Sequence, residues 1–296
     1  MPRRLRAWAL ALTFLIAAVC ARGACGSEDS PSPGKTPDTL RIALLHMDSR
    51  PGKIERNRRL IERAIRQAAA EKADWLVTPE LAESGYVFAA DVGLDWVEAF
   101  PGKWIESLAG TARRNRISLF VGIPERDRRT GKLYNSTAVI DAEGHILGTN
   151  RKFHVIPGAS EGWATPEPDN RPFLVDGVTV GILVCADAAA PDLSAGFAKA
   201  GTQILLSPAN WPPFEDMGPS GQWEARTRET GLPLVVANRT GREPALDFRK
   251  GESVLVYGGK RRLSFAFEKT HLIFIDWDRK AGFAPAGTRA LADGED

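Results

Sequence analysis

Cysteine is nearly absent from this chain of 296 residues: there are three, and two of them, Cys20 and Cys25, fall within an apparent export leader. That leaves Cys185 as the one thiol in the body of a chain bound for an oxidising compartment, where thiols are normally paired, and a lone thiol there invites a chemical explanation. Histidine is scarce too. His46, His145, His154 and His271 are scattered, and neither a His-Glu-x-x-His motif nor paired cysteine spacing occurs, so a zinc site is not expected. The chain lacks a Gly-x-Ser-x-Gly elbow, which argues against a serine hydrolase. Past the leader no window reaches the roughly 20 apolar residues that a bilayer demands. No internal repeat is evident, and no basic block interleaved with aromatics. The arginine-rich stretch 126–129 and the basic stretch 260–262 are small clusters of the kind found in solvated turns, so nucleic acid is not an expected partner.

What is present begins with the leader. Arg3, Arg4 and Arg6 form a basic start, residues 8–19 a short apolar stretch, and small residues follow, which is the pattern of a signal peptide over residues 1–24. Two processing routes stay open. Val19-Cys20-Ala21 suits a signal peptidase, whereas Cys25-Gly26-Ser27 resembles the acylated cysteine of a bacterial lipoprotein, so the chain is expected in the periplasm or cell envelope, with Cys25 or Cys20 as the candidate site of a lipid anchor. Residues 25–38, rich in Ser, Pro and acidic side chains, have too little apolar content to fold and read as a tether. Four of the 39 basic residues and none of the 37 acidic ones precede Cys25, so the remainder is close to neutral and its charge excludes little.

Residues 39–296 are enough for one large α/β domain. Strand-like runs at 40–45, 75–78, 117–124, 134–141, 146–152, 178–184, 204–206, 234–237, 253–257, 263–267 and 272–277 alternate with helical patterns near 54–68, 103–115, 192–200 and 223–230. In the first helix Ile54, Leu60, Ile61, Ala64, Ile65 and Ala68 recur at helical spacing, with Arg and Glu between them. Many buried strands with intervening helices mean layered α and β with mixed strand directions.

Three chemically distinctive residues stand where strands end: Glu80 after 75–78, Lys152 after 146–151 and Cys185 after 178–184. The ends of buried strands are where α/β proteins collect reactive groups, because the sheet fixes the backbone while the following loop shapes a crevice. A carboxylate, an ammonium and a thiol form a coherent set for acyl transfer: a base for the thiol proton, a cation for the charge that develops on oxygen, and a nucleophile. Each also has a plainer reading, as a turn acid, a solvated lysine and a small buried hydrophobe. His154, beside Lys152, is a candidate partner for a Cys-His pair or a locally hydrogen-bonded side chain. Spacing alone does not join these residues.

Thr78-Pro79-Glu80-Leu81, Asn150-Arg151-Lys152-Phe153-His154 and Val184-Cys185-Ala186-Asp187 stand in the order that resembles the nitrilase superfamily, the carbon-nitrogen hydrolases, in its amidase-like branch. Tyr134-Asn135-Ser136, Ser207-Pro208-Ala209-Asn210-Trp211 and the run from Val236 to Gly241 extend the likeness. The resemblance implies a four-layer α-β-β-α sandwich with mixed sheets, a homodimer, no metal or organic cofactor, and a small amide or nitrile as substrate. It also implies catalytic roles for Glu80, Lys152 and Cys185, a supporting glutamate matched by Glu161, an oxyanion contact from the backbone of Ala186, and a place for Trp211 beside the site. Beyond the nucleophile the chain departs from the family pattern, with Ala186, Ala188, Ala189 and Ala190 where bulkier or charged residues are usual, which puts the substrate in question more than the chemistry. A nitrilase proper, an N-acyltransferase of the same superfamily and a non-catalytic envelope binding protein are the alternatives to an exported amidase.

Overall fold

In a computed structural model of the chain, residues 38–158, 160–213 and 219–292 are described; the expected signal peptide, the tether as far as residue 37, Cys20 and Cys25 lie outside them. A seven-stranded sheet takes β1 (Thr39–His46), β2 (Trp75–Val77), β3 (Ser118–Arg126), β4 (Leu133–Ile140) and β5 (Ile146–Arg151). A six-stranded sheet takes β6 (Phe173–Val175), β7 (Val178–Ile182), β8 (Ile204–Pro208) and β9 (Leu234–Ala237). Next come a two-residue pair, β10 (Arg242–Glu243) and β11 (Leu246–Asp247), then β12 (Ser253–Tyr257), β13 (Lys260–Phe265), β14 (His271–Asp278) and β15 (Gly282–Ala290). The strand orders are β15-β14-β1-β2-β3-β4-β5 and β13-β12-β9-β8-β7-β6. The helices are α1 (Ile54–Ala70), α2 (Phe88–Val92), α3 (Lys103–Asn115), α4 (Pro191–Lys199) and α5 (Gln222–Thr230).

Side-chain alternation assigns the layers. Successive residues of a strand face opposite sides, and in β1 Leu40, Ile42 and Leu44 join the core shared with the second sheet, whereas Ala43 and Leu45 pack with α1 and α3. The same division holds in β2, where Trp75 and Val77 face the second sheet and Leu76 the helices. Leu60, Ile61, Ala64, Ile65 and Ala68 of α1 form the helix side of that outer core. Beyond the second sheet, Phe197 of α4 and Trp223 of α5 pack against its strands. The result is the expected α-β-β-α sandwich with mixed sheets.

The connectivity brings the three strand-end residues to one rim. β1, β2 and β3 run parallel, linked through α1 and α3, and β7, β8 and β9 run parallel, linked through α4 and α5. β4 reverses against β3 and β5 reverses again, so β5 returns to the direction of β2 and Lys152 emerges at the same end of the sheet as Glu80. At the opposite end of these strands the indole of Trp75 and the hydroxyl of Ser118 both donate to Asp176 Oδ2, at 2.8 and 2.7 Å, tying one sheet to the other.

The expected helices and strands appear with boundaries displaced by a few residues at most. The short α2, β6, β10 and β11, and the glycine- and proline-containing β15, had no pattern to announce them.

Candidate active site

Glu80 is placed by a crowded crossing. Thr78 Oγ1 accepts the Gly122 N–H at 2.9 Å, and the chain then passes so close over β3 that a Cβ on Gly122 would lie 2.1 Å from the Pro79 carbonyl oxygen. Only glycine permits that approach. Leu81, directly after Glu80, has φ of 47°, which turns the loop away and leaves the carboxylate pointing between the sheets.

Lys152 follows β5, its backbone N–H held by the Asn135 carbonyl at 2.7 Å. Its ammonium donates to Glu80 Oε1 at 2.6 Å and to Glu161 Oε1 at 2.5 Å, and all three side chains are fully buried. Asn135 Nδ2 donates to the same two carboxylates, at 2.7 and 3.3 Å. The second oxygen of Glu80 accepts the Asn210 N–H at 3.0 Å, and that of Glu161 accepts the Ile156 N–H at 2.7 Å. The acid expected in the loop 158–162 is therefore a buried member of the cluster rather than a solvated one.

Cys185 opens a short 3-10 helix, Cys185–Ala189, after an inverse turn at Val184 in which the Cys185 N–H reaches the Leu183 carbonyl at 3.0 Å. Its φ is 66°, a conformation that costs a non-glycine residue about 1–3 kcal/mol and persists only where its surroundings enforce it. The side chain is 5 % exposed. Glu80, Lys152 and Glu161 all act on it electrostatically. The structure thus gathers Glu80, Lys152, Glu161 and Cys185 into one buried cluster, with Ala186 in the first turn of the 3-10 helix that Cys185 opens.

The charges are interdependent. Burial pushes Glu80 up, but the charge and hydrogen bond of Lys152, with hydrogen bonds from Glu161 and Asn135, outweigh it and hold Glu80 below the usual carboxylate range. Burial lowers Lys152, yet Glu80, Cys185 and Glu161 around it raise the ammonium well above its ordinary value. Glu161 is pushed up to about 7 by burial and by the neighbouring Glu80 charge. Cys185 is raised well above the usual thiol range by burial and by Glu80, against the pull of Lys152. The arrangement sets a neutral thiol beside an ionised carboxylate and a cation, all of them largely buried. Such a set can accept a proton, donate one, and stabilise an oxyanion.

Trp211 lies at the edge of this cluster. Its backbone exchanges hydrogen bonds with the Asn238 side chain at 3.0 and 2.8 Å, and its indole packs edge-on against Trp223 with ring centroids 5.2 Å apart. His154 is exposed and contributes only its backbone N–H to Asp187, so no Cys-His pair is assembled from it. Sequence reasoning missed Tyr86, whose hydroxyl is raised far above the ordinary tyrosine range by burial and by the charges of Glu80 and Glu161. It also missed the donor roles of Asn135 and Asn210. An asparagine on a strand that reads as buried is a signal that could have found Asn135, since such a group needs partners.

Comparisons with known proteins show which family the chain resembles. The family model described as carbon-nitrogen hydrolase matches residues 41–267. A protein described as the hydrolase in the pqqF 5′ region of Pseudomonas protegens is 30 % identical, over 86 % of this chain and 89 % of its own length. An (R)-stereoselective amidase of Pseudomonas sp is 28 % identical, over 74 % of this chain and 75 % of its own. Among solved structures, a mutant of the amidase from Nesterenkonia sp. AN1 in complex with butyramide superposes with a TM-score of 0.69 at 27 % identity, covering 81 % of this chain and 91 % of that one. Another mutant of the same amidase, with the acetamide moiety of fluoroacetamide added covalently at the active site cysteine, has a TM-score of 0.70 at 26 % identity, covering 83 % and 94 %.

Proposed function

The chain belongs to the carbon-nitrogen hydrolase family, and from that premise we propose that it hydrolyses a small non-peptide amide through a thioester on Cys185. The observation that carries this reading is the Lys152 ammonium, sealed from water and held at 2.6 and 2.5 Å by Glu80 and Glu161, beside the only cysteine of the described residues.

Glu80 Oε2 accepts only the Asn210 N–H and so is the oxygen left to take the thiol proton, whereas Oε1 is occupied by Lys152 and Asn135. Cys185 Sγ adds to the amide carbon as its proton passes to Glu80. The carbonyl oxygen becomes an oxyanion held by Lys152 Nζ and by the Ala186 N–H, an early N–H of a helical turn and so without a partner inside it. Collapse of this adduct breaks the C–N bond, and Glu80 returns its proton to the departing ammonia or amine. Water then gives a proton to Glu80 and adds to the thioester. The second adduct expels the sulfur, which recovers the proton, and the carboxylic acid leaves. Every proton is supplied and recovered by Glu80, so the cycle closes without a cofactor. The raised thiol is consistent with this order: sulfur stays protonated until substrate is in place, which limits side reactions.

Alanines at 186, 188, 189 and 190 leave the wall beyond the nucleophile short, which supports a compact substrate whose contacts come from elsewhere in the pocket. The basic start and short apolar stretch of the leader support export to the periplasm or envelope, either as a cleaved protein or anchored through Cys25 or Cys20, and the family resemblance supports a homodimer. Ammonia release from a panel of small amides and nitriles tests the activity. Amides are expected to be turned over by the native chain and not by Cys185→Ser; release from nitriles alone would reassign it as a nitrilase.

A further inference from the structure

Asp187 is fully buried and carries no role in the cycle above. One of its oxygens, Oδ1, accepts the backbone N–H groups of Phe153 and His154, at 3.0 and 2.7 Å. The other, Oδ2, accepts the N–H of Val184 at 3.0 Å, and the Asp187 N–H returns to the Val184 carbonyl at 2.9 Å. The first pair of donors directly follows Lys152, at the end of a strand of the seven-stranded sheet. The third directly precedes Cys185, at the end of a strand of the six-stranded sheet. A single carboxylate therefore joins the backbone beside the ammonium to the backbone beside the thiol.

We propose that Asp187 is a positioning residue that sets the distance between Lys152 and Cys185 by clamping the loop after β5 to the turn after β7. Two observations beyond the bonds support this. Cys185 sits at φ of 66°, a conformation that needs external enforcement, and the Asp187–Val184 exchange closes the turn around it. Burial pushes Asp187 up to about 7, and above that pH its ionised carboxylate accepts at both oxygens, so one side chain satisfies three N–H donors; an amide presents hydrogens at one of its two ends and does not. Alanine at 186 and 188 offers no side chain able to share the task. The proposal rests on the reading of Cys185 and Lys152 given above.

The test compares Asp187→Asn, His154→Pro and His154→Ala, with Cys185→Ser alongside, on whichever amide the native protein turns over. Asp187→Asn keeps the shape but sets an N–H₂ against the Val184 N–H or against the Phe153 and His154 donors. His154→Pro deletes one donor from the far side of the clamp while His154→Ala, at the same exposed side chain, keeps it. We expect kcat to fall at least tenfold in Asp187→Asn with KM changed less than threefold, and the rate of Cys185 alkylation by iodoacetamide to change in step. His154→Pro is expected to lose at least threefold in kcat relative to His154→Ala, which should match the native protein. This pair decides the matter if Asp187→Asn does not fold. Equal kcat in the two His154 variants overturns the proposal, as does an Asp187→Asn kcat within twofold of native, or a loss that disappears when each variant is assayed at the same margin below its own Tm. Retained turnover in Cys185→Ser would instead overturn the underlying reading.

Discussion

Replacing Lys152 with methionine removes the charge that two buried carboxylates share, and the structure sets the size and pH dependence of the effect. The ammonium lies 2.6 Å from Glu80 and 2.5 Å from Glu161, with no exposure on any of the three side chains. Deleting one partner of a buried ion pair typically costs about 3–5 kcal/mol, because the remaining charge is left uncompensated. Here two acids are left, with Asn135 as their common donor, and each escapes part of the penalty by binding a proton. We expect a loss of about 3–5 kcal/mol near pH 8, which for a domain of this size corresponds to a fall in Tm on the order of 10 °C. The sign of the pH dependence follows from proton linkage. Without the cation, burial and mutual repulsion raise both carboxylates above their unfolded values, so the folded variant binds more protons than the unfolded chain and gains stability as pH falls from 8 toward 5. In the native protein Glu80 is instead lowered, so its contribution is present above the ordinary glutamate range and is lost as pH falls below it. Urea unfolding followed by tryptophan fluorescence, at both pH values, reads both effects. A loss under about 1 kcal/mol at pH 8, or a deficit that does not shrink at the lower pH, would refute the reasoning.

Gly122→Ala should lower kcat at least tenfold and cost about 1–3 kcal/mol, since its methyl group would force the Pro79 carbonyl, and with it Glu80, away from β3; steady-state kinetics and a melting curve check both. Asn135→Ala removes a hydrogen bond that lowers Glu80, so the acidic limb of the kcat/KM profile should move to higher pH, and an unchanged limb would count against Glu80 as the base. Glu83, pushed up to about 7 by burial, binds its proton more tightly in the folded state, so its contribution to stability declines as pH rises from the ordinary glutamate range to about 7; Glu83→Gln should flatten that part of the stability profile.

The sequence carried the layer architecture because buried strands and amphipathic helices leave periodic marks. The apolar 75–77 and 178–182 runs, and the alternation of α1, are legible in one dimension. The three strand-end residues could be named because a carboxylate, an ammonium and a thiol are conspicuous after apolar runs. What could not be read was their meeting: it depends on the double reversal of β4 and β5 and on the stacking of two sheets, neither of which spacing encodes. The left-handed conformation of Cys185 was invisible because cysteine, unlike glycine or asparagine, does not advertise it. Asp187 appeared only as a neighbour of the thiol, and its link to residues 153 and 154 exists only in three dimensions. Tyr86 sat in a loop with no periodicity, and β15 was hidden by Pro285 and Gly287, which edge strands tolerate.

The central claim, that Cys185 carries the acyl group between the loss of amine and the arrival of water, is tested most directly by acid-quenching the protein during turnover of an amide and weighing its peptides by mass spectrometry. The account predicts an increase equal to the acyl group, confined to the peptide that contains Cys185 and absent when that residue is serine and turnover has stopped. An acyl group on another residue, or full turnover by Cys185→Ser, would contradict it.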